Sequence, residues 1–292
     1  MEGRPPTNDL ALLATGVLCA SASPPLIAAT AAPALAIAFW RTGAAALVLL
    51  PAVLFRRERF HGRAVWLSLL AGAALAAHFG TFIPSLSYTT VASSAALVCS
   101  QAVWAAVLGH MLGERMPRRA WLGTAVCFVG VLLITGVDVA LSPRALFGDL
   151  LALLGGLFGG VYIVTGGFVR RDLSTLAYTL LCYGACGLLL LGVCLIGGQP
   201  LGGYAAADWA RIGALTVFGQ LLGHSLFNFV LRSISPTIVS LATLFTVPLA
   251  AVIAAIALGQ TPPAAAVPAL ALLLAGTALV ISARSGAPAE AT

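Results

Sequence analysis

Lysine is absent from this 292-residue chain: its fifteen basic residues are all arginine, set against nine acids for a formal net charge of +6. Charge of either sign is scarce. Only 8% of residues are charged and 60% are hydrophobic, whereas soluble domains carry roughly 25% charged residues. A water-covered globular surface is therefore excluded, and the mean hydropathy of +1.04 agrees. The marks of an enzyme are missing too. There is no paired carboxylate inside an apolar stretch, no His-Glu-x-x-His, no Gly-x-Ser-x-Gly and no phosphate loop. The arginines lie in short loops between apolar stretches, which reads as membrane topology and not as a nucleic-acid surface. Neither a cofactor, a metal nor a nucleic-acid partner is expected.

Cysteine is present but arranged for nothing. Cys19, Cys99, Cys127, Cys182, Cys186 and Cys194 all fall in apolar stretches without metal-ligand spacing to His or Asp, so they read as small packing residues. The beginning of the chain resembles a secretory signal, with Arg4, an apolar run from Leu10, then Ala20-Ser21-Ala22. The apolar character continues past Ser23 and has a counterpart later in the chain, so this segment is expected to stay as a first helix.

What the sequence has in abundance is apolar runs long enough to span ~30 Å of hydrocarbon, which takes ~20 helical residues. Breaks at Arg, Gly and Pro clusters delimit ten: 10–30, 33–55, 64–86, 89–112, 119–137, 146–169, 174–197, 209–231, 236–258 and 264–283. Arginine placement tests the count. With the N-terminus inside, Arg4, Arg56, Arg57, Arg59, Arg63, Arg115, Arg118, Arg119, Arg170, Arg171, Arg232 and Arg284 fall on the cytoplasmic side. Only Arg144 and Arg211 fall outside, and Arg41 lies within the second span. The positive-inside rule then holds, with both termini cytoplasmic.

The two halves repeat. An offset of 146 carries His78 to His224, Ser87 to Ser233, Ser94 to Ser240, Gly113 to Gly259, Pro117 to Pro263 and Gly130 to Gly276; an offset of 140 carries Asp9-Leu10 to Asp149-Leu150. Five spans per copy is an odd number, so the second copy enters the membrane inverted. The expectation is an all-α integral membrane protein of ten transmembrane helices. It comprises a first five-helix repeat (1–140) and a second, inverted one (141–292) in one membrane domain, with a binding site near the midplane where they meet.

The polar residues inside the spans point to that site, because hydrocarbon offers them no partner. Gln220, His224 and Asn228 recur at steps of four and form one stripe on the eighth span, since each step advances only ~40° around an α-helix. Such a stripe lines a cavity or serves interhelical hydrogen bonds. His78 sits at the mirrored position on the third span, at similar depth. Ser94 and Gln101 share a face of the fourth span; Ser240 and Thr243 answer on the ninth; Tyr162, Ser21 and Ser23 would complete a ring of neutral hydrogen-bonding groups. The hydroxyls have a second use, as small packing residues bonded to their own helix backbone. All nine acids lie at span ends or in loops: Glu2, Asp9, Glu58, Glu114, Asp138, Asp149, Asp172, Asp208 and Glu290. No carboxylate is thus available to hold a cationic cargo, and a neutral or zwitterionic one is expected.

The stretches SLSYTTVASSAALV (85–98) and LLGHSLFNFVLRSISPTIVSLATL (221–244), with Gly113-Glu114 closing the fourth span, resemble the EamA-type carriers of the drug/metabolite transporter superfamily. The resemblance runs along essentially the whole chain. It implies the ten-helix fold and secondary transport of small metabolites or drugs, often outward, in a bacterial inner membrane. It also implies a small-molecule substrate, a lipid bilayer and a monomer or weak dimer. This chain departs from the family at Gln101-Ala102, Val247-Pro248 and Gly259-Gln260, and lacks the tryptophan common in the first helix. An arginine at the position of Arg41 is common in the family, which favours a structural role bonded to carbonyls. The alternative role is to meet a substrate carboxylate.

Overall fold

Every backbone N–H and C=O in hydrocarbon must find a partner within the chain, and a helix satisfies them locally. The computed structural model describes residues 7–58, 60, 62–113, 117–261, 264 and 267–285, and its regular elements there are all helical. Glu2, Arg4, Arg59, Glu114, Arg115, Pro263 and Glu290, which entered the arguments above, lie outside the described residues.

Helical segments lie over each of the expected spans. Seven are long and apolar enough to cross a membrane: α1 (Thr7–Ala28), α2 (Ala34–Arg56), α3 (Gly62–Ser85), α4 (Val91–Met111), α6 (Pro143–Val169), α7 (Thr175–Ile196) and α9 (Pro236–Leu258). The other three are α5 (Arg118–Leu141), α8 and α10 (Val267–Ser285). Helix α8 is made of three pieces: Ala206–Ala214, a wider-wound π-helical stretch Leu215–His224, and Ser225–Val230. Two of the long helices are interrupted near their middles. Helix α4 breaks at Cys99 and Ser100, and α9 passes through a 3-10 turn at Thr243–Phe245. Subtracting 146 puts the second break at residues 97–99, beside the first.

Local sequence chemistry sets the helix ends. The side chains of Thr90, Ser174 and Ser235 accept from the backbone N–H of Ser93, Ala177 and Ile238, capping α4, α7 and α9. Pro143 and Pro236 stand in the first turns of α6 and α9, where a missing N–H costs nothing. After α4 and α9 the chain turns through left-handed backbone at Gly113 (φ 94°) and Gly259 (φ 67°), a conformation that favours glycine. These two glycines are mates under the 146-residue offset.

Packing follows small residues. Helix α3 lies along α6 and α7, α2 along α7, α5 along α10, and α1 along the π-helical part of α8. The contact of α5 with α10 requires Gly276: a β-carbon there would sit 2.6 Å from the Gly123 carbonyl oxygen and 2.7 Å from the Cys127 nitrogen. The periphery is apolar, with Phe55 94%, Ile196 91% and Ile256 83% exposed. Water would not tolerate such a coat; lipid does.

Candidate functional site

The bundle encloses a polar spot. A cavity of about 70 Å3 is bounded by α1 (Ala20, Ser23, Pro24), α2 (Arg41), α3 (His78, Phe79, Phe82), α4 (Gln101), α8 (His224, Phe227) and α9 (Thr243, Thr246), among others. Room for one water takes at least ~10–15 Å3 on this measure, so the space admits a few waters. In this conformation the space is narrow.

Glycines on α6 bring the polar walls together. His78 Nδ1 lies 2.7 Å from the carbonyl oxygen of Gly155. One turn further, a β-carbon on Gly159 would fall 2.5 Å from Gln101 Oε1 and 3.0 Å from His78 Nδ1. Only a residue without a side chain admits both groups there. Gln101 in turn donates Nε2 to Thr243 Oγ1 at 2.7 Å, joining the broken middles of α4 and α9. The His78 and His224 rings meet edge-on with centroids 6.3 Å apart, and His224 also lies 5.3 Å from Phe79 and 5.9 Å from Tyr162. The Nδ1 of His224 is buried with no hydrogen-bond partner.

Arg41 is only 1% exposed, and among the described residues no acid pairs with it. Its Nε donates to Gln220 Oε1 at 3.1 Å, and its guanidinium carbon stands 4.2 Å over the Phe79 ring. A central arginine costs roughly 2.5–3.5 kcal/mol on insertion scales. A desolvated cation–π contact returns roughly 2 kcal/mol and a hydrogen bond from a charged donor roughly 1.5–3 kcal/mol. Neutral partners therefore suffice to hold the charge in an empty site. Gly219 lets the arginine fit, since a β-carbon there would meet Ser23 Oγ at 2.4 Å and Arg41 Nη2 at 3.0 Å.

Of the expected site residues, Arg41, His78, Gln101 and His224 border the cavity, as do Ser23 and Thr243 of the expected ring. Ser21 bonds back to the Val17 carbonyl, and Gln220, Tyr162, Asn228, Ser94 and Ser240 surround the space as packing. Gln220 is fully buried behind Arg41, and Tyr162 donates to Asn228 Oδ1 at 2.6 Å. Asn228 is also fully buried, and its carbonyl accepts from Arg170 Nε at 3.0 Å. Arg170 itself lies beyond the end of α6, where burial, with Arg232 adding, holds its guanidinium below the ordinary value. Ser94 pairs with Ser85 Oγ at 2.6 Å, and Ser240 Oγ is buried without a partner. The stripe on α8 does face inward at all three positions, but only its middle member reaches the cavity. Residues not singled out from sequence also line it: Phe79, Phe82 and Phe227 form an aromatic wall, and Cys99, read as packing, borders the space. The doubled glycines of Gly155-Gly156 and Gly159-Gly160 were the available signal for the α6 platform.

A second, larger cavity of about 450 Å3 is lined by Tyr88, Thr90, Ser142, Gly259 and Gln260, where α3, α6 and α9 meet their loops. Val91, Ala95, Ala250 and Ala254 form an apolar seam between α4 and α9. Ala254 touches the larger cavity and Ala95 the smaller.

An all-helical bundle with an apolar coat and a polar cavity between its helices defines a multi-pass membrane protein built around an internal polar site. Residues 9–136 and 146–282 both match the EamA-like transporter family, and the chain belongs to that family. An uncharacterized transporter of Archaeoglobus fulgidus is 32% identical over 114 residues, 38% of this chain and 39% of that relative. The chain thus spans well under half of that relative's length. The uncharacterized inner membrane transporter YedA of Escherichia coli K12 is 23% identical over 214 residues, 70% of this chain and 68% of its own. A crystal structure aligns over 95% of this chain and 99% of its own with a TM-score of 0.72 at 17% identity, which shows the shared fold.

Proposed function

We propose that the chain is a secondary transporter that moves small, amino-acid-like metabolites, neutral or zwitterionic, across a bacterial inner membrane, working as an exporter by alternating access. The observation that carries this reading is the central cavity, whose neighbouring histidines, His78 and His224, come from equivalent positions of the two halves. A ten-crossing, inverted-repeat arrangement of 1–140 and 141–292, with both termini cytoplasmic, is part of the same proposal. The helix neighbours support it. The pairing of α3 with α6 has its mate in α8 with α1, that of α3 with α7 in α8 with α2, and that of α4 with α6 in α9 with α1. Pairs α2–α7 and α5–α10 are their own mates. A two-fold relation between the halves would produce this set, and rocking one half on the other would expose the site to each side in turn.

The cavity is narrow as it stands, and parting of the Val91, Ala95, Ala250 and Ala254 seam toward the larger cavity would widen it for loading. Side chains this small offer little to hold the seam shut, which suits a gate. Counterflow in proteoliposomes tests the proposal: vesicles preloaded with an unlabelled amino-acid mixture should accumulate labelled amino acid, and His224→Ala should reduce the uptake. Vesicles that accumulate no solute from a broad neutral and zwitterionic panel would sink it. Net movement down an imposed gradient in both directions, without a coupling ion, would favour the facilitator version of the same machine.

A further inference from the structure

We propose that Arg41 is a receptor for a carboxylate, so that the cargo of the central cavity carries one; this rests on the reading of that cavity as the transport site. Arginine has five N–H donors in a planar fork suited to two-point binding of a carboxylate. Here the Nε donor is used, on Gln220 Oε1 at 3.1 Å, and one ring face is covered by Phe79. Among the described residues the two η nitrogens have no hydrogen-bond partner, and Arg41 borders the cavity. No acid borders it. Ser23, His78, Gln101, His224, Thr243 and Thr246 supply its other polar groups, all without formal negative charge.

A guanidinium this buried sets up a positive potential at the cavity that no acid among its lining residues neutralises, and low polarity strengthens it. An entering carboxylate gains that attraction and both free η donors. A net cation meets only repulsion. The ammonium of a zwitterion finds neutral hydrogen-bonding groups on the wall, among them Ser23, Gln101 and Thr246. The site therefore accepts organic anions and zwitterions through one shared group and rejects amines and amides that lack it.

Four probes of similar size separate the charge states: lactate, lactamide, alanine and alaninamide. Thermal unfolding of the detergent-purified full chain, at constant sodium chloride, reads binding as a rise in midpoint. Lactate and alanine should raise it saturably, with the two amides at least tenfold weaker. The decisive variant is Gln220→Glu, which replaces one terminal atom and gives Arg41 an internal carboxylate. It should fold, raise the midpoint of the ligand-free protein and abolish the lactate response. Arg41→Lys should fold with a weakened response. Equal responses to lactate and lactamide that His224→Ala abolishes would leave the cavity as the transport site and overturn carboxylate recognition. Gln220→Glu binding lactate as the wild type does would overturn it also, as would a response to chloride with none to lactate. Binding of the carboxylates that is unaffected by both Gln220→Glu and His224→Ala would place cargo elsewhere and overturn both readings.

Discussion

Replacing Gly159 by alanine adds a single methyl group, and the structure says where it goes: 2.5 Å from Gln101 Oε1 and 3.0 Å from His78 Nδ1. The first contact cannot stand, and the second asks His78 to give by a few tenths of an ångström. The Gln101 amide must swing away, and its bond from Nε2 to Thr243 Oγ1 at 2.7 Å goes with it. The lost bond is worth roughly 1 kcal/mol, and the overpacking roughly 1–3 kcal/mol. Against these stands a gain of roughly 1 kcal/mol for alanine over glycine in a helix. The net is a destabilisation of about 1–3 kcal/mol, or a fall of about 3–9 °C at roughly 3 °C per kcal/mol. A matched control exists in Gly192 on α7, where a β-carbon would meet nothing within 4 Å; Gly192→Ala should melt at or above the wild-type temperature. The assay is thermal unfolding of the two variants side by side in one detergent, followed by cargo binding, which Gly159→Ala should weaken because it moves two cavity walls. Indistinguishable melting and binding by Gly159→Ala and Gly192→Ala would refute the idea that α6 positions the site by its lack of side chains.

His224→Ala should weaken cargo binding more than it lowers melting, because it removes ring packing against Phe79 and Tyr162 but no hydrogen bond at Nδ1. Asn228→Ala should instead lower the melting temperature by several degrees, since it strands the fully buried Tyr162 hydroxyl, an orphaned group costing roughly 1–3 kcal/mol. The reverse order of effects, measured by unfolding and ligand titration on the same preparations, would contradict this division. Reporter fusions after residue 60 and residue 200 should signal cytoplasmic and external locations respectively. An external signal from the first would refute the proposed topology.

The helical class and the membrane setting were legible in sequence because run length and charge depletion report them directly. The equivalence of Gly113 and Gly259 was legible as well, as matched positions in two copies of one pattern, but not the left-handed backbone they share. So was the meeting of His78 and His224, which needed only the assumption that mates lie at equal depth. Less visible was the division of labour along α8. Apolar periodicity cannot distinguish ordinary from wider winding, and a stripe of inward polar groups does not say which member meets empty space. Gln220 and Asn228 stand on either side of that space, engaged with Arg41 and Tyr162. Hardest to read were Gly159, Gly219 and the aromatic wall. A glycine matters through what lies against it, and phenylalanines in so apolar a chain carry no periodic signal of their own.

The wide winding at Leu215–His224 leaves a mark on the neighbouring helix. The carbonyl of Gln220 receives the backbone N–H of Ser225, five residues on, and also hydrogen bonds from the Ser225 and Tyr183 hydroxyls at 3.2 and 3.3 Å. A π-helical stretch is slack in a screw thread. Rewinding one turn to ordinary α-helix would turn everything beyond it by about 100° and shift it by about 1.5 Å. Such a turn would take His224 out of the cavity, and it would break the bonds of Asn228 with Tyr162 and Arg170. Tyr183 on α7, gripping the carbonyl at the middle of that stretch, is the pawl that keeps the thread in its present setting.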